Sequence, residues 1–182
     1  MRNDDIPAAP PHASANRLHW PTRLARTPWR AATLLALGLA LVTVPAGLGT
    51  ALLAHAALAP AWFGSSAASS IGALNGPMFL LVGVLLMPAL ETSFGQAAPM
   101  ALLRRLRVPP PARVIACGVF FGSLHWLGGG LGHGLSTTAS GCLFALAYEM
   151  CRSVGFWPAA YAAFATHATH NFLMWFVLGP LL

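Results

Sequence analysis

The sequence predicts an all-α, polytopic transmembrane helical bundle of about five to six spans. Three observations carry that expectation. First, 57% of the 182 residues are hydrophobic and only 8% are charged, with a mean hydropathy of +0.66. Soluble domains carry about 25% charged residues. Second, the 60 residues from Ala31 to Leu90 contain no Asp, Glu, Lys or Arg. A chain of that length folded in water would leave unpaired apolar faces, whereas helices in lipid need about 20 apolar residues per crossing. Third, the basic residues, all of them arginine, stand in clusters between the apolar runs.

The elements follow in order. Residues 1–30 are polar and rich in Pro, Ala and Arg, and read as a disordered basic tail on the cytoplasmic side. The first apolar run is too long for a signal h-region, so a cleavable signal peptide is not expected. Residues 31–182 form the membrane domain, with a polar-site core over about residues 71–178. The first span covers about Ala31 to Leu58. Gly64-Ser65-Ser66 marks an uncharged loop. A second run starts near Ile71 and ends before Arg104, with breaks or kinks expected at Pro77, Pro88 and Pro99 and a weak point at Gly95. Arg104 to Arg113, with Pro109-Pro110-Pro111, is a stiff basic connector. Third and fourth spans, about 112–127 and 135–150, flank a flexible turn at Gly128–Gly134. They are short enough to be partly re-entrant. Pro158 suits the first turn of a fifth span that runs to about Leu178.

If five spans alternate, all ten arginines fall on one side. The loops around Ser65 and Gly130 hold no Lys or Arg. The positive-inside rule then puts the N-terminus in the cytoplasm. The charge therefore reads as topology and anionic-lipid contact, and no nucleic-acid partner is expected. Cys117, Cys142 and Cys151 show no CxxC spacing and read as small packing residues. The arginine-only usage and compact loops suggest a bacterial inner-membrane protein.

Polar groups inside apolar helices are costly and mark function by default. Glu91 is one of them. A carboxyl in that setting is suited to take a proton from water and return it to a leaving amine. The plainer alternative is a structural carboxyl paired with a neighbouring helix. His125 shares a face with Phe121, four residues earlier, and His167 shares one with Asn171. Each imidazole suits a metal, a water or a developing oxyanion, and a hydrogen-bonded core histidine is the plainer role. Asn171 can donate an amide N–H. His170, also one turn from His167, suits either a partner that supports the site or a plain interfacial residue, and the interfacial role is the one expected. Glu91, His125 and His167 lie 13, 12 and 15 residues from Arg104, Arg113 and Arg152. At about 1.5 Å per residue these are roughly 18 to 22 Å from one membrane face. Scattered core histidines have no reason to share a depth.

Three stretches carry a family resemblance. Pro88-Ala-Leu-Glu91-Thr92-Ser-Phe94-Gly-Gln96, then Phe121-x-x-x-His125, then His167-x-x-x-Asn171 resemble the EExxxR, FxxxH and HxxxN/D motifs of the CAAX-protease and bacteriocin-processing (CPBP) intramembrane proteases. The resemblance covers about Phe79 to Phe176, and Tyr148-Glu149 and Phe156-Trp157-Pro158 fit the segment leading into the third motif. It implies intramembrane hydrolysis of a peptide bond in a membrane-associated protein or peptide. Glu91 would activate the water. His125, His167 and Asn171 would bind or polarise around it, and Thr92, Gln96 and Phe121 would support them. Zinc on His125 and His167 is the implied candidate cofactor, with a metal-free oxyanion hole as the alternative. The first motif departs from the pattern, since Thr92 and Gln96 replace a Glu and an Arg. The departure leaves two other readings open: a non-catalytic scaffold or immunity protein on the same fold, and a small metal or proton transporter. No internal repeat supports the transporter.

Overall fold

A computed structural model describes residues 27–62 and 74–179. The basic tail up to Arg26 and the loop at Gly64-Ser65-Ser66 lie outside them. The described residues are helical apart from short turns and connectors, without strands. Helix α1 is Pro28–Ala57, followed by a 3-10 turn at Pro60–Trp62. Helix α2 runs Gly76–Arg105. Helices α3 (110–129) and α4 (131–151) form one hairpin. Helix α5 is Phe156–Phe172 and runs on as a π-helix, Leu173–Leu178. The stretches Pro28–Ala57, Gly76–Arg105 and Pro110–Val154 are each long and apolar enough to cross a membrane, the last of them folded back on itself. Leucines such as Leu34, Leu41, Leu53 and Leu90 project outward, as lipid contact demands.

The hairpin is tighter than the sequence suggests. A seven-residue turn is expected at Gly128–Gly134, but only Gly130 leaves helical geometry, at φ 78°. That angle suits glycine, which lacks the Cβ that makes it costly. The two arms then run antiparallel at close quarters. A Cβ on Gly122 would lie 1.8 Å from Thr138 Oγ1 and 2.5 Å from the Gly134 carbonyl, and one on Gly118 would meet Cys142. Small residues that let backbones approach are the usual device for helix association in lipid. Each arm has about 20 residues, or roughly 30 Å.

Helix α2 is likewise more continuous than its prolines predict. Pro88 and Pro99 do not break it. Each follows a π-helical stretch, Leu80–Leu86 and Ser93–Ala97. A proline ring clashes with the carbonyl four residues back. Those carbonyls, of Val84 and Gly95, sit inside the π stretches, where the wider turn accommodates the ring. Pro77 sits in the first turn of α2, where its missing N–H costs nothing, and Asn75 caps the helix by accepting from Met78 N–H at 3.0 Å. Arg107 (φ 59°) ends α2, and Val108 N–H reaches back to the Leu103 carbonyl.

Paired contacts give the topology. Thr33 to Tyr161 and Thr43 to His170 make α1 and α5 parallel. Gly83 to Asn171 and Phe79 to Trp175 make α2 and α5 antiparallel. The five helices alternate in direction, which places Arg104, Arg105, Arg113 and Arg152 at one end. At that end Arg113 and Glu149 close the base of the hairpin with bonds of 3.3 and 2.5 Å, and Arg113 also donates to the Val108 carbonyl at the end of α2. Cys117 and Cys151 are buried in the apolar core, as expected.

Two outcomes follow for stability in detergent. Glu149→Ala strands a buried guanidinium, a loss of about 3 kcal/mol that lowers the thermal midpoint by about 6–12 °C. Gly122→Ala forces the hairpin arms apart and destabilises by about 1–3 kcal/mol. A midpoint within 1–2 °C of wild type for both would contradict this account of the hairpin.

Candidate active site

Glu91 sits in a short α-helical stretch, Met87–Thr92, between the two π segments of α2. Its Oε2 faces two imidazoles. His167 Nε2 is 3.5 Å away and His125 Nε2 3.9 Å away. So three helices bring together the three groups whose depths in the sequence agree. Both separations are longer than ordinary direct hydrogen bonds.

The proton positions are constrained. His125 Nδ1 lies 2.9 Å from the Phe121 carbonyl, which can only accept. Nδ1 therefore carries a hydrogen, and in the neutral ring Nε2 is a bare acceptor facing a carboxyl. The i to i+4 spacing of Phe121 and His125 places that carbonyl under the ring. His167 is 4% exposed, and its Nδ1 has no partner. A hydrogen on its Nε2, toward Glu91, is the electrostatically favoured tautomer.

Two aromatic rings hold the imidazoles. Phe144 stacks on His167 with centroids 4.4 Å apart and planes at 18°. Phe121 lies 4.4 Å from His125 and edge-on to His167 at 5.5 Å. Gly95 and Gly141 admit Phe121, since a Cβ on either would come within 3.0 Å of its side chain. Gly95, a weak point by sequence, is a site of close approach.

The remaining expected residues take defined places. Asn171 lines the site and donates one amide hydrogen to the Gly83 carbonyl at 2.8 Å. That carbonyl lies in the first π stretch of α2. Gln96 is fully buried, and its Nε2 donates to the Gly141 carbonyl at 3.2 Å, tying α2 to α4. Gln96 Oε1 and Thr92 Oγ1 are buried without partners. Thr92 and Gln96 therefore occupy a helix interface rather than the cavity wall. Phe121 is a packing hub.

Sequence reasoning missed two contributors. His133 follows the Gly130 turn and lines the cavities beside His125, with centroids 5.5 Å apart. Its position within a glycine-rich stretch reads as loop, and only the hairpin register reveals it. His170, given a plainer role above, lines the larger cavity, where its Nδ1 meets Thr43 Oγ1 at 2.9 Å. Thr43 itself donates to the Ala40 carbonyl at 2.8 Å, so its oxygen accepts from His170.

The site opens into two adjoining cavities. One, of about 300 Å³, lies between α2 and α3 beside Leu90, Phe94 and Leu124. The other, of about 420 Å³, extends among α2, α4 and α5 past Gly83, Met87, Ser136 and Trp175. Glu91, Phe121, His125 and His133 border both. Among the described residues, no three His, Cys, Asp or Glu side chains converge closely enough to hold a metal ion.

The architecture defines an integral membrane protein with a carboxyl–histidine site inside its helical bundle. The chain matches the family model described as type II CAAX prenyl endopeptidase Rce1-like over residues 73–173, more than half its length. It belongs to that family of CAAX-type membrane proteases, consistent with the CPBP resemblance. No curated protein and no solved structure gives a significant match. Glu91, His125, His167 and Asn171 all fall inside the matched segment, and α1 falls outside it.

The Thr92 and Gln96 interface is testable by a double-mutant cycle. Thr92→Glu alone and Gln96→Arg alone each bury an unpaired charge and lower the thermal midpoint. The double variant loses less than the sum, by about 1–3 kcal/mol. Strict additivity would show that the two positions do not face one another.

Proposed function

We propose that the protein is an intramembrane endopeptidase that cleaves a membrane-associated protein or peptide with a water activated by Glu91. The observation that supports it most is the pair of imidazole Nε2 atoms, 3.5 and 3.9 Å from one oxygen of a carboxyl at the cavity wall. A water between Glu91 and the bare His125 Nε2 gives a hydrogen bond to each, which fixes its lone pair toward a carbonyl carbon. As that lone pair attacks, Glu91 takes the water's proton. His167 Nε2–H and the second amide hydrogen of Asn171 steady the oxyanion. Collapse breaks the C–N bond, and Glu91 returns the proton to the leaving amine. The carboxyl is regenerated and no net charge is left behind.

Imidazole and carboxylate are also the donor types of a zinc site, and His125 and His167 would be the ligands. The side chains as placed do not close around an ion, so no step above runs through one. The membrane is proposed to be a bacterial inner membrane, with the arginine end of the bundle in the cytoplasm.

In proteoliposomes, Glu91→Gln is expected to lower kcat by 10³-fold or more while the thermal midpoint stays near wild type. Asn171→Ala is expected to lose about 10²–10³ in kcat. Chelation with dipicolinate leaves kcat unchanged on the metal-free reading and abolishes it on the zinc reading. A Glu91→Gln protein that still hydrolyses would overturn the mechanism. Wild-type protein inert toward every membrane peptide tested, yet able to complement a deletion strain, would favour the scaffold.

A further inference from the structure

The larger cavity has a polar wall that the chemistry at Glu91 does not use. Ser136 and Ser140 of α4 and His170 of α5 line it. The three converge on one point of α1. A Cβ on Gly47 would lie 2.8 Å from Ser140 Oγ, 3.6 Å from Ser136 Oγ and 3.7 Å from His170 Cε1, the carbon between the two ring nitrogens. Glycine at this position lets all three groups approach α1. Gly47 and Thr43, which shape the wall from behind, lie outside the family-matched residues 73–173.

Counting hydrogens decides what the wall can bind. Ser136 commits its hydroxyl hydrogen to the Gly47 carbonyl at 3.0 Å. His170 commits Nδ1–H to Thr43 Oγ1, whose own hydrogen goes to the Ala40 carbonyl. In the neutral ring Nε2 is then a bare acceptor, and no group among the described residues donates to it. Ser140 reaches the Ser136 carbonyl at 3.4 Å. A bond that long holds its hydrogen weakly, so this hydroxyl can turn and donate elsewhere. The wall thus offers one acceptor nitrogen and one releasable donor. Its natural guest both donates and accepts.

Charge narrows the choice. Among the described lining residues, Glu91 alone is an Asp, Glu, Lys or Arg, and it faces His125 and His167. An ammonium at the wall would give up its hydration without gaining a counter-charge. A carboxylate would meet the lone pair of His170. A neutral hydroxyl or carboxamide fits both groups.

The wall stands beside the site. His170 is about one turn from His167, roughly 5 Å along α5. Phe144 separates the two, stacked on His167 and edge-on to His170 at 5.8 Å. One to two residues of extended chain cover that distance.

We propose that Ser140 and His170, with Ser136 beside them, form a specificity subsite for a hydroxyl- or carboxamide-bearing side chain of the substrate, one to three residues from the bond that is cut. The endopeptidase reading supplies the reason for a side chain to be there. Thr or Gln at that place donates to His170 Nε2 and accepts from Ser140 Oγ–H. Val or Met, of similar shape, leaves both unmet.

The test uses tagged Glu91→Gln protein in nanodiscs. It is given an equimolar mixture of N-myristoylated peptides of about six alanines and leucines, held at the bilayer by the acyl chain. One position at a time carries Thr, Val, Gln, Met or Lys, and retained peptides are counted by mass spectrometry. The expected result is retention of Thr over Val and of Gln over Met by about tenfold at one position, with Lys no better than Met. Ser140→Ala and His170→Phe, each in the same background, bring those ratios to about one and leave Val and Met retention unchanged. A role confined to packing would move all peptides together. Equal retention within each pair at every position, no retention at all, a preference for Lys, or a preference that survives both variants would overturn the subsite. Two variants guard against one that fails to fold. Wild-type protein in proteoliposomes receives the same peptides in parallel. Hydrolysis without the side-chain preference counts against the subsite alone, and preference without hydrolysis counts against the endopeptidase reading alone.

Discussion

The structure depends on one constraint: a carboxyl and two imidazoles share a small space inside an apolar bundle. Water cannot dilute their interaction as it does at a surface. Each proton must sit between partners, and the surroundings decide which. The Phe121 carbonyl commits His125 Nδ1 to a hydrogen, so the other nitrogen of that ring faces Glu91 as an acceptor. Two acceptors face to face are tolerable only with a proton or a water between them. The geometry that makes the site costly to hold is, on the proposed reading, the geometry that would orient a nucleophile.

The rest of the fold keeps those groups in place. Glycines at 95 and 141 let Phe121 enter, and Phe121 with Phe144 pins both rings. The π stretches absorb Pro88 and Pro99, so that α2 presents Glu91 on one side and Gln96 to α4 on another. Asn171 ties α5 to the first of these stretches. Helix α1 lies outside the family-matched segment and still reaches the site, through the bond from His170 to Thr43.

Much of this was legible in the sequence. Glu91, His125, His167 and Asn171 announce themselves as polar groups at helical spacing in uncharged runs, and their distances from the arginines place the three ionisable ones at one depth. The alternating direction of five helices follows from the arginine clusters. Other features were not legible, for physical reasons. Seven glycine-rich residues read as a loop because glycine is a poor helix former. In a hairpin between closely packed arms, however, tertiary contact overrides propensity and only Gly130 departs from the helix. That error hid His133. The π turns escaped notice because proline predicts a break, and nothing local says that a wider turn will relieve it. The bond from Asn171 to Gly83 and the burial of Gln96 join residues 88 and 45 positions apart, beyond the reach of any periodicity.

The most direct test of the central claim is a comparison of protein termini in membranes from cells carrying wild type, Glu91→Gln or no copy. The account predicts at least one terminus within a membrane-associated protein that appears only with wild type. Identical termini in all three, with Glu91→Gln restoring whatever the deletion strain lacks, would contradict it and leave the chain a scaffold on a protease fold.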